Sequence, residues 1–227
     1  MVELISGLDA GAVRANLERI REHIAAAARR RHASSPAPDA EVEIVAATKY
    51  VAATKLPALA EAGIRVVGEN RAQDLQAKVE AYGELFEWDF IGQLQSRRVR
   101  LIVPHVRLIH SLASESALRE LARHRELARP GLRVLIEVNL SGEQGKAGIE
   151  PARLDEFISR SPFPVAGLMT MPPLVSDPAQ SRPWFAALRE LARERGLEHL
   201  SMGTSQDYLI AVEEGATIVR IGTSLYR

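Results

Sequence analysis

The chain has 227 residues, which at roughly 150 per domain allows one large domain or two small ones and is enough to bury about 70% of the unfolded surface without a disulfide or metal staple. Lys plus Arg and Asp plus Glu both number 29, so the formal net charge is zero, which argues against nucleic acid as a partner because phosphate binding demands a basic surplus. The absence of cysteine excludes disulfides, thiolate catalysis, iron–sulfur clusters and cysteine-ligated zinc. Taken in chain order, residues 8–31 form the first predicted element, an amphipathic helix. Leu8, Val13, Leu17, Ile20 and Ile24 recur at helical spacing with charged residues between them. Arg29-Arg30-Arg31 reads as its solvated last turn, where cations complement the helix dipole. A Ser- and Pro-containing loop over 32–39 follows.

Beyond residue 40, short apolar runs alternate with helical stretches. The runs are Glu43–Ala47, Val66–Gly68, Trp88–Ile91, Leu108–Leu112, Val134–Leu140, Val165–Met169, His199–Met202 and Ile218–Ile221. Helical patterns lie between them at about 54–62, 70–81, 95–102, 115–128, 151–159, 183–195 and 206–214. Near-continuous apolar runs such as Val134-Leu-Ile-Glu-Val138 suit parallel strands covered on both faces. Eight βα units with no change of composition predict an α/β chain of one domain over 1–227. Its expected form is a (β/α)8 TIM barrel with an extra N-terminal helix. A doubly wound open sheet is the alternative, weakened by the lack of GxGxxG after the first strand. No apolar run approaches the ~20 residues of a membrane span, and charges run through the first 30 residues. A cytoplasmic protein without membrane contact is therefore expected. No large exposed apolar face is evident, so it is expected to be a monomer.

Barrel chemistry sits where strands end. The first strand ends in Ala46-Ala-Thr-Lys49, and only Lys49, Lys55, Lys78 and Lys146 supply an amine against 25 arginines. Lys49 at a strand end is expected to be partly desolvated and so poised for Schiff-base chemistry, or else to snorkel to water. Lys55 sits near a helix start, Lys78 on a helix beside Glu80, and Lys146 in the Gly-rich loop 142–148. Ser201-Met-Gly-Thr-Ser205 and Arg220-Ile-Gly-Thr-Ser224 place glycines and hydroxyls after the last two strands, as barrels do when they bind phosphate. Arg220 lies inside an apolar strand and needs a partner there, either a carboxylate or a ligand. Glu69 and Asn70 are acid/base candidates without an obvious second carboxylate. His105 and His110 flank a strand start and read as structural, and Trp88 and Phe90 read as packing. Neither HxH nor HExxH occurs, so no metal site is expected.

Seven motifs stand in order along the chain: Ala46-Ala-Thr-Lys49, Val67-Gly-Glu-Asn70, Trp88 to Gln95, Asn139 to Gly148, Gly167-Leu-Met169, Leu200 to Ser205 and Val219 to Thr223. Together they resemble the pyridoxal phosphate homeostasis protein family, also called proline synthetase co-transcribed homologues. That family is similar to the barrel domain of bacterial alanine racemase. The resemblance implies pyridoxal 5′-phosphate (PLP) held as a Schiff base on Lys49, with Ser205, Gly222 and Thr223 around the phosphate. It implies Arg220 at the pyridine nitrogen, Asn70 near the ring, Ser201 and Gly203 shaping the phosphate end, and an ancillary role for Lys146. Many members have Ser-Lys-Thr-Lys-Pro where this chain has Thr48-Lys-Tyr-Val51, so a role for the second lysine does not carry over. Gln93 stands in place of a common proline. Arginine at the ring nitrogen disfavours ring protonation and makes the cofactor a weaker electron sink. The implied function is therefore a PLP carrier and buffer with little or no catalysis, handing its cargo to PLP-dependent apo-enzymes. A slow PLP-dependent amino-acid racemase is the alternative, and a phosphosugar aldolase a remote third.

Overall fold

A computed structural model describes residues 5, 7–143 and 145–227. Eight parallel strands close on themselves in sequence order: β1 (Glu43–Ala47), β2 (Val66–Glu69), β3 (Glu87–Phe90), β4 (Leu108–Leu112), β5 (Arg133–Glu137), β6 (Val165–Met169), β7 (His199–Thr204) and β8 (Ile218–Ile221). Pairing of Glu43 to Ala46 with Ile218 to Ile221 joins the last strand to the first. Helices α2 (Leu56–Glu61), α3 (Ala72–Tyr82), α4 (Val99–Ile102), α5 (Glu115–Arg123), α6 (Leu154–Arg160), α7 (Arg182–Glu194), α8 (Tyr208–Glu213) and α9 (Thr223–Tyr226) each follow a strand. The (β/α)8 architecture is the one expected from the spacing of the apolar runs.

Alternation along the strands divides the apolar residues into two populations. Val67, Trp88, Phe90, Ile109, Val134, Ile136, Leu168, Leu200 and Val219 join the large cluster between strands and helices. Val45, Val66, Leu108, Leu135, Met169 and Ile218 form a smaller cluster inside the barrel. The interior is thus a packed core, and its polar residues are confined to the remaining inward positions.

The extra N-terminal helix is α1 (Ala10–Ala28), shorter at both ends than the periodicity of 8–31 indicates. Asp9 caps it by accepting from the Ala12 amide at 2.7 Å. Val13, Leu17, Ile20, Ile24 and Ala27 are buried, and α1 packs on α2, α8 and α9, across the seam where β8 meets β1. Of the arginine triplet, Arg29 and Arg30 are exposed, as expected of a solvated turn, and Arg31 departs from it. Arg30 pairs with Glu213 at 2.7 Å, and Arg31 Nη1 donates to the carbonyls of Ala37, Pro38 and Ala40 at 2.7–3.1 Å. The Ala37 carbonyl also accepts from the Ala40 amide at 3.2 Å, and for the Pro38 and Ala40 carbonyls the guanidinium supplies the donor.

Strand β5 stops at Glu137 instead of reaching Leu140. Asn139 donates its amide to the Ile149 carbonyl at 2.9 Å, and Ile149 to Glu137 at 2.8 Å. The returning loop therefore takes the hydrogen bonds that a longer strand would have given to β4, while the Val138 amide still donates to the Met169 carbonyl of β6 at 2.8 Å. No helix among the described residues is long and apolar enough to cross a membrane.

Candidate functional site at the C-terminal mouth

The strand ends singled out in the sequence meet at one mouth. Lys49 follows β1, Asn70 follows β2, and Ser205 and Gly222 follow β7 and β8. Lys49 is exposed, its Nζ lying 4.7 Å above the Tyr50 ring, so the desolvated strand-end amine expected from the sequence is corrected to a water-facing one held by a cation–π contact. Its backbone is held from below. Thr48 is buried, its amide donates to the Gly68 carbonyl at 3.0 Å, and its carbonyl accepts from Lys78 Nζ at 2.8 Å. Glu69, fully buried, accepts from Thr48 Oγ1 at 2.6 Å and is ion-paired with Lys78. Lys78 therefore belongs to the floor of the mouth, not to a solvent-facing helix pair with Glu80. Glu69 is committed to that pair instead of acid/base work. Both were legible in principle: Lys78 lies on the same face of α3 as buried Leu75.

Asn70 presents a buried Oδ1 with no hydrogen-bond partner. Gly92 packs so closely that a Cβ there would meet the Asn70 carbonyl oxygen at 2.1 Å, which locks the Asn70 backbone in place. Beside the end of β1 the Gly222 and Ser224 amides converge on Ser205 Oγ at 3.1 and 3.4 Å. The Ser205 hydroxyl oxygen is thus the acceptor of both amides and keeps its own proton to donate, a cluster of donor groups suited to an anionic oxygen that joins or replaces it. Gly222 has φ −122°, and a Cβ there would meet nothing nearer than Ala47 Cβ at 3.6 Å. Crowding within the chain does not account for that glycine. Gly203 differs: φ is +89° and a Cβ would lie 2.8 Å from Tyr208 Cα. Between Ser201 and Thr204, β7 carries one more residue than its partner segment of β8, a bulge that turns Thr204 and Ser205 toward the mouth. Thr223 is exposed at the start of α9.

Arg220 is 5% exposed. Its Nη1 donates to the Ser201 carbonyl at 2.9 Å and to Ser201 Oγ at 2.5 Å. Nη2 donates to the Thr170 carbonyl at 3.1 Å and to Met171 Sδ at 3.2 Å. The partner is thus a set of neutral acceptors, not the direct carboxylate pair considered from the sequence. Burial pushes Arg220 down to about 10, with Glu137 opposing the shift, so the guanidinium keeps its charge at neutral pH. Ser201 sits beneath Arg220 inside the barrel, away from the convergent amides of the anion site. His110 does not flank β4 but lies within it, fully buried.

Lys146 stands apart from this group, in the β5–α6 loop, paired with Glu143 at 2.9 Å. A smaller and a larger cavity open among the described residues, the smaller, of about 160 Å3, beside Arg220, Gly203 and Met171 at the mouth. The larger, about 570 Å3, lies at the opposite rim between α1 and the starts of β1 and β2, remote from these groups. No group of three or more His, Cys, Asp or Glu suited to a metal occurs among the described residues.

Residues 8–227 match the family described as alanine racemase, N-terminal domain. A pyridoxal phosphate homeostasis protein of Aquifex aeolicus (strain VF5) is 41% identical over 195 residues, covering 81% of this chain and 86% of the relative. Its counterpart of the same name in Escherichia coli (strain K12) is 34% identical over 227 residues, covering 93% and 94%. PipY of Synechococcus elongatus PCC7942, solved with PLP bound, superposes with a TM-score of 0.76 at 30% identity, covering 95% of this chain and all of the other. Shared sequence over most of both chains and a shared barrel lead to one assignment: this chain belongs to the pyridoxal phosphate homeostasis protein family, within the group built on the alanine racemase N-terminal domain.

Proposed function

We propose that this protein binds pyridoxal 5′-phosphate at the mouth, covalently through Lys49, and holds it in reserve without turning it over. The residues present fit the group. Lys49 offers an exposed amine, Ser205 with the Gly222 and Ser224 amides offers an anion seat, and Thr223 stands at its edge. Asn70 Oδ1, buried and unpartnered, awaits a donor beside the ring position. Arg220 Nη1 and Nη2 are engaged by the protein, while Nε donates to none of the described residues and is free for the ring nitrogen. Gly203 sets the β7 bulge that forms one wall, and Ser201 backs Arg220.

When bound, the cofactor supplies an aldehyde that captures amines and a ring that takes up electrons. The chain's own groups restrain the second property. A guanidinium that stays protonated donates to a ring nitrogen and leaves no proton to place there. The observation that carries the reading is this buried, charged Arg220 on β8, the strand paired with the β1 strand that leads to the exposed Lys49. In this reading residues 1–227 act as one monomeric domain that passes its cargo to PLP-dependent apo-enzymes, with Lys146 ancillary.

The test is titration of wild type and Lys49→Ala with PLP, read by visible absorbance, followed by hydride reduction and peptide mapping. Saturable uptake with the reduced label on Lys49, lost in Lys49→Ala, is expected. Incubation with L-alanine in deuterated water should give no steady α-proton exchange. Exchange that persists in wild type and vanishes in Lys49→Ala would overturn the carrier reading in favour of a slow racemase.

A further inference from the structure

A continuous buried chain of hydrogen bonds leads from the mouth into the barrel. Arg220 Nη1 donates to Ser201 Oγ. Ser201 Oγ lies 2.8 Å from His110 Nδ1, and His110 Nε2 lies 3.1 Å from Asp89 Oδ2. Asp89 in turn accepts from Arg107, Nε to Oδ1 at 2.9 Å and Nη2 to Oδ2 at 3.1 Å. Arg107 is also ion-paired with Glu43 at the first residue of β1. Ser201, His110 and Asp89 are essentially inaccessible to water.

The partners dictate the direction of every bond. Arg107 approaches both oxygens of Asp89, which makes Asp89 an accepting carboxylate. His110 must then carry its proton on Nε2, and burial, against the pull of Asp89, keeps the imidazole neutral. Nδ1 is left with a lone pair, so Ser201 donates its hydroxyl proton to it. That leaves the Ser201 lone pairs for Arg220. His110 and Ser201 are each bonded on both sides, and a bulge in β4 between Ile109 and Leu112 seats His110 at this point.

We propose that Ser201 and His110, oriented by Asp89, are positioning residues that fix the Arg220 guanidinium for the ring of the bound cofactor. The proposal rests on the cofactor reading above and deepens it. Without the chain, Arg220 would keep its backbone acceptors but lose the acceptor that sets the tilt of its plane.

The experiment compares PLP-loaded wild type, Ser201→Ala, Ser201→Thr and His110→Gln. Visible spectra and the rate of cofactor release to an excess apo-enzyme acceptor are the readouts. Loss of one hydrogen bond to a charged group predicts about tenfold faster release for Ser201→Ala, with a displaced absorption band. Ser201→Thr, which keeps the hydroxyl, restores both, and His110→Gln resembles Ser201→Ala. Loaded Ser201→Ala that matches wild type in band and release rate overturns the proposal while leaving the carrier reading intact. Wild type that takes up no PLP overturns the carrier reading and this proposal with it. Nitrogen-15 NMR of the cofactor-free protein checks the direction of the chain by itself. His110 protonated on Nε2 is expected, and protonation on Nδ1 overturns it.

Discussion

Lys49 owes its position to side chains that need not touch a ligand. The Lys78–Glu69 pair is buried and bonded to both the hydroxyl and the carbonyl of Thr48, so the residue before Lys49 is held at two points. Removing one member of such a pair leaves a buried charge without compensation, a loss of about 3 kcal/mol. Lys78→Met should therefore lower the urea unfolding midpoint by an amount corresponding to that loss, and it should slow cofactor capture at Lys49 although the amine itself remains. A midpoint equal to wild type would show that Glu69 is satisfied without Lys78. Residue-scale reading of the sequence singled out Lys49, Asn70, Ser205 and Gly222 at strand ends and Arg220 inside one. It gave no weight to Asp89 and read His110 as structural. The alternation that assigns Trp88 and Phe90 to the outer cluster necessarily turns Asp89 inward, and that was the available signal.

At the scale of elements, two glycines separate structure from function. Gly203 makes the β7 bulge at φ +89° with Tyr208 and Ala211 against it, whereas Gly222 has negative φ and only an ordinary contact with Ala47 at 3.6 Å in the place of a Cβ. Gly203→Ala is expected to cost about 2 kcal/mol or more in thermal or urea unfolding, from strain and overpacking together. Gly222→Ala is expected to change stability by about 1 kcal/mol or less while weakening PLP uptake severalfold, because the added methyl enters the anion seat. The opposite ranking of the two variants in a melting experiment would contradict these roles. Helix α1 offers a simpler case: Asp9→Ala removes its cap and should cost about 1 kcal/mol. Strand and helix existence followed from periodicity. Their ends did not, because the end of β5 is decided by a loop that returns from Ile149, and the end of α1 by Arg31 turning back on 37–40. Both are side-chain or loop hydrogen bonds, which hydrophobic period does not encode even at a separation of 6 to 12 residues.

For the whole molecule, three histidines set the response to acid. Burial holds His105, His110 and His199 below the ordinary histidine value, with carboxylates opposing in each case. An unfolded chain has no such burial, so it takes up these protons first as pH falls below about 6.5. Stability is thus intact above that pH and declines below it, down to the depressed folded values. For fully buried His110 the slope is at most about 1.4 kcal/mol per pH unit. Melting temperatures between pH 8 and 5 should fall on the acid side, and His110→Gln should flatten that fall. An unchanged slope in the variant would mean that His110 takes up its proton equally in both states.

The sequence by itself determined the strand count and order, the polar strand ends and the four candidate amines, since these depend on hydrophobic period and residue chemistry along a line. Tertiary structure alone decided the exposure of Lys49, the burial of Lys78 against Glu69, and the route from Arg220 through Ser201 and His110 to Asp89. Those partners come from different strands and helices. A polar group inside a barrel is satisfied by whatever the curvature of the sheet brings opposite it, and curvature is a property of the closed assembly, not of any one segment.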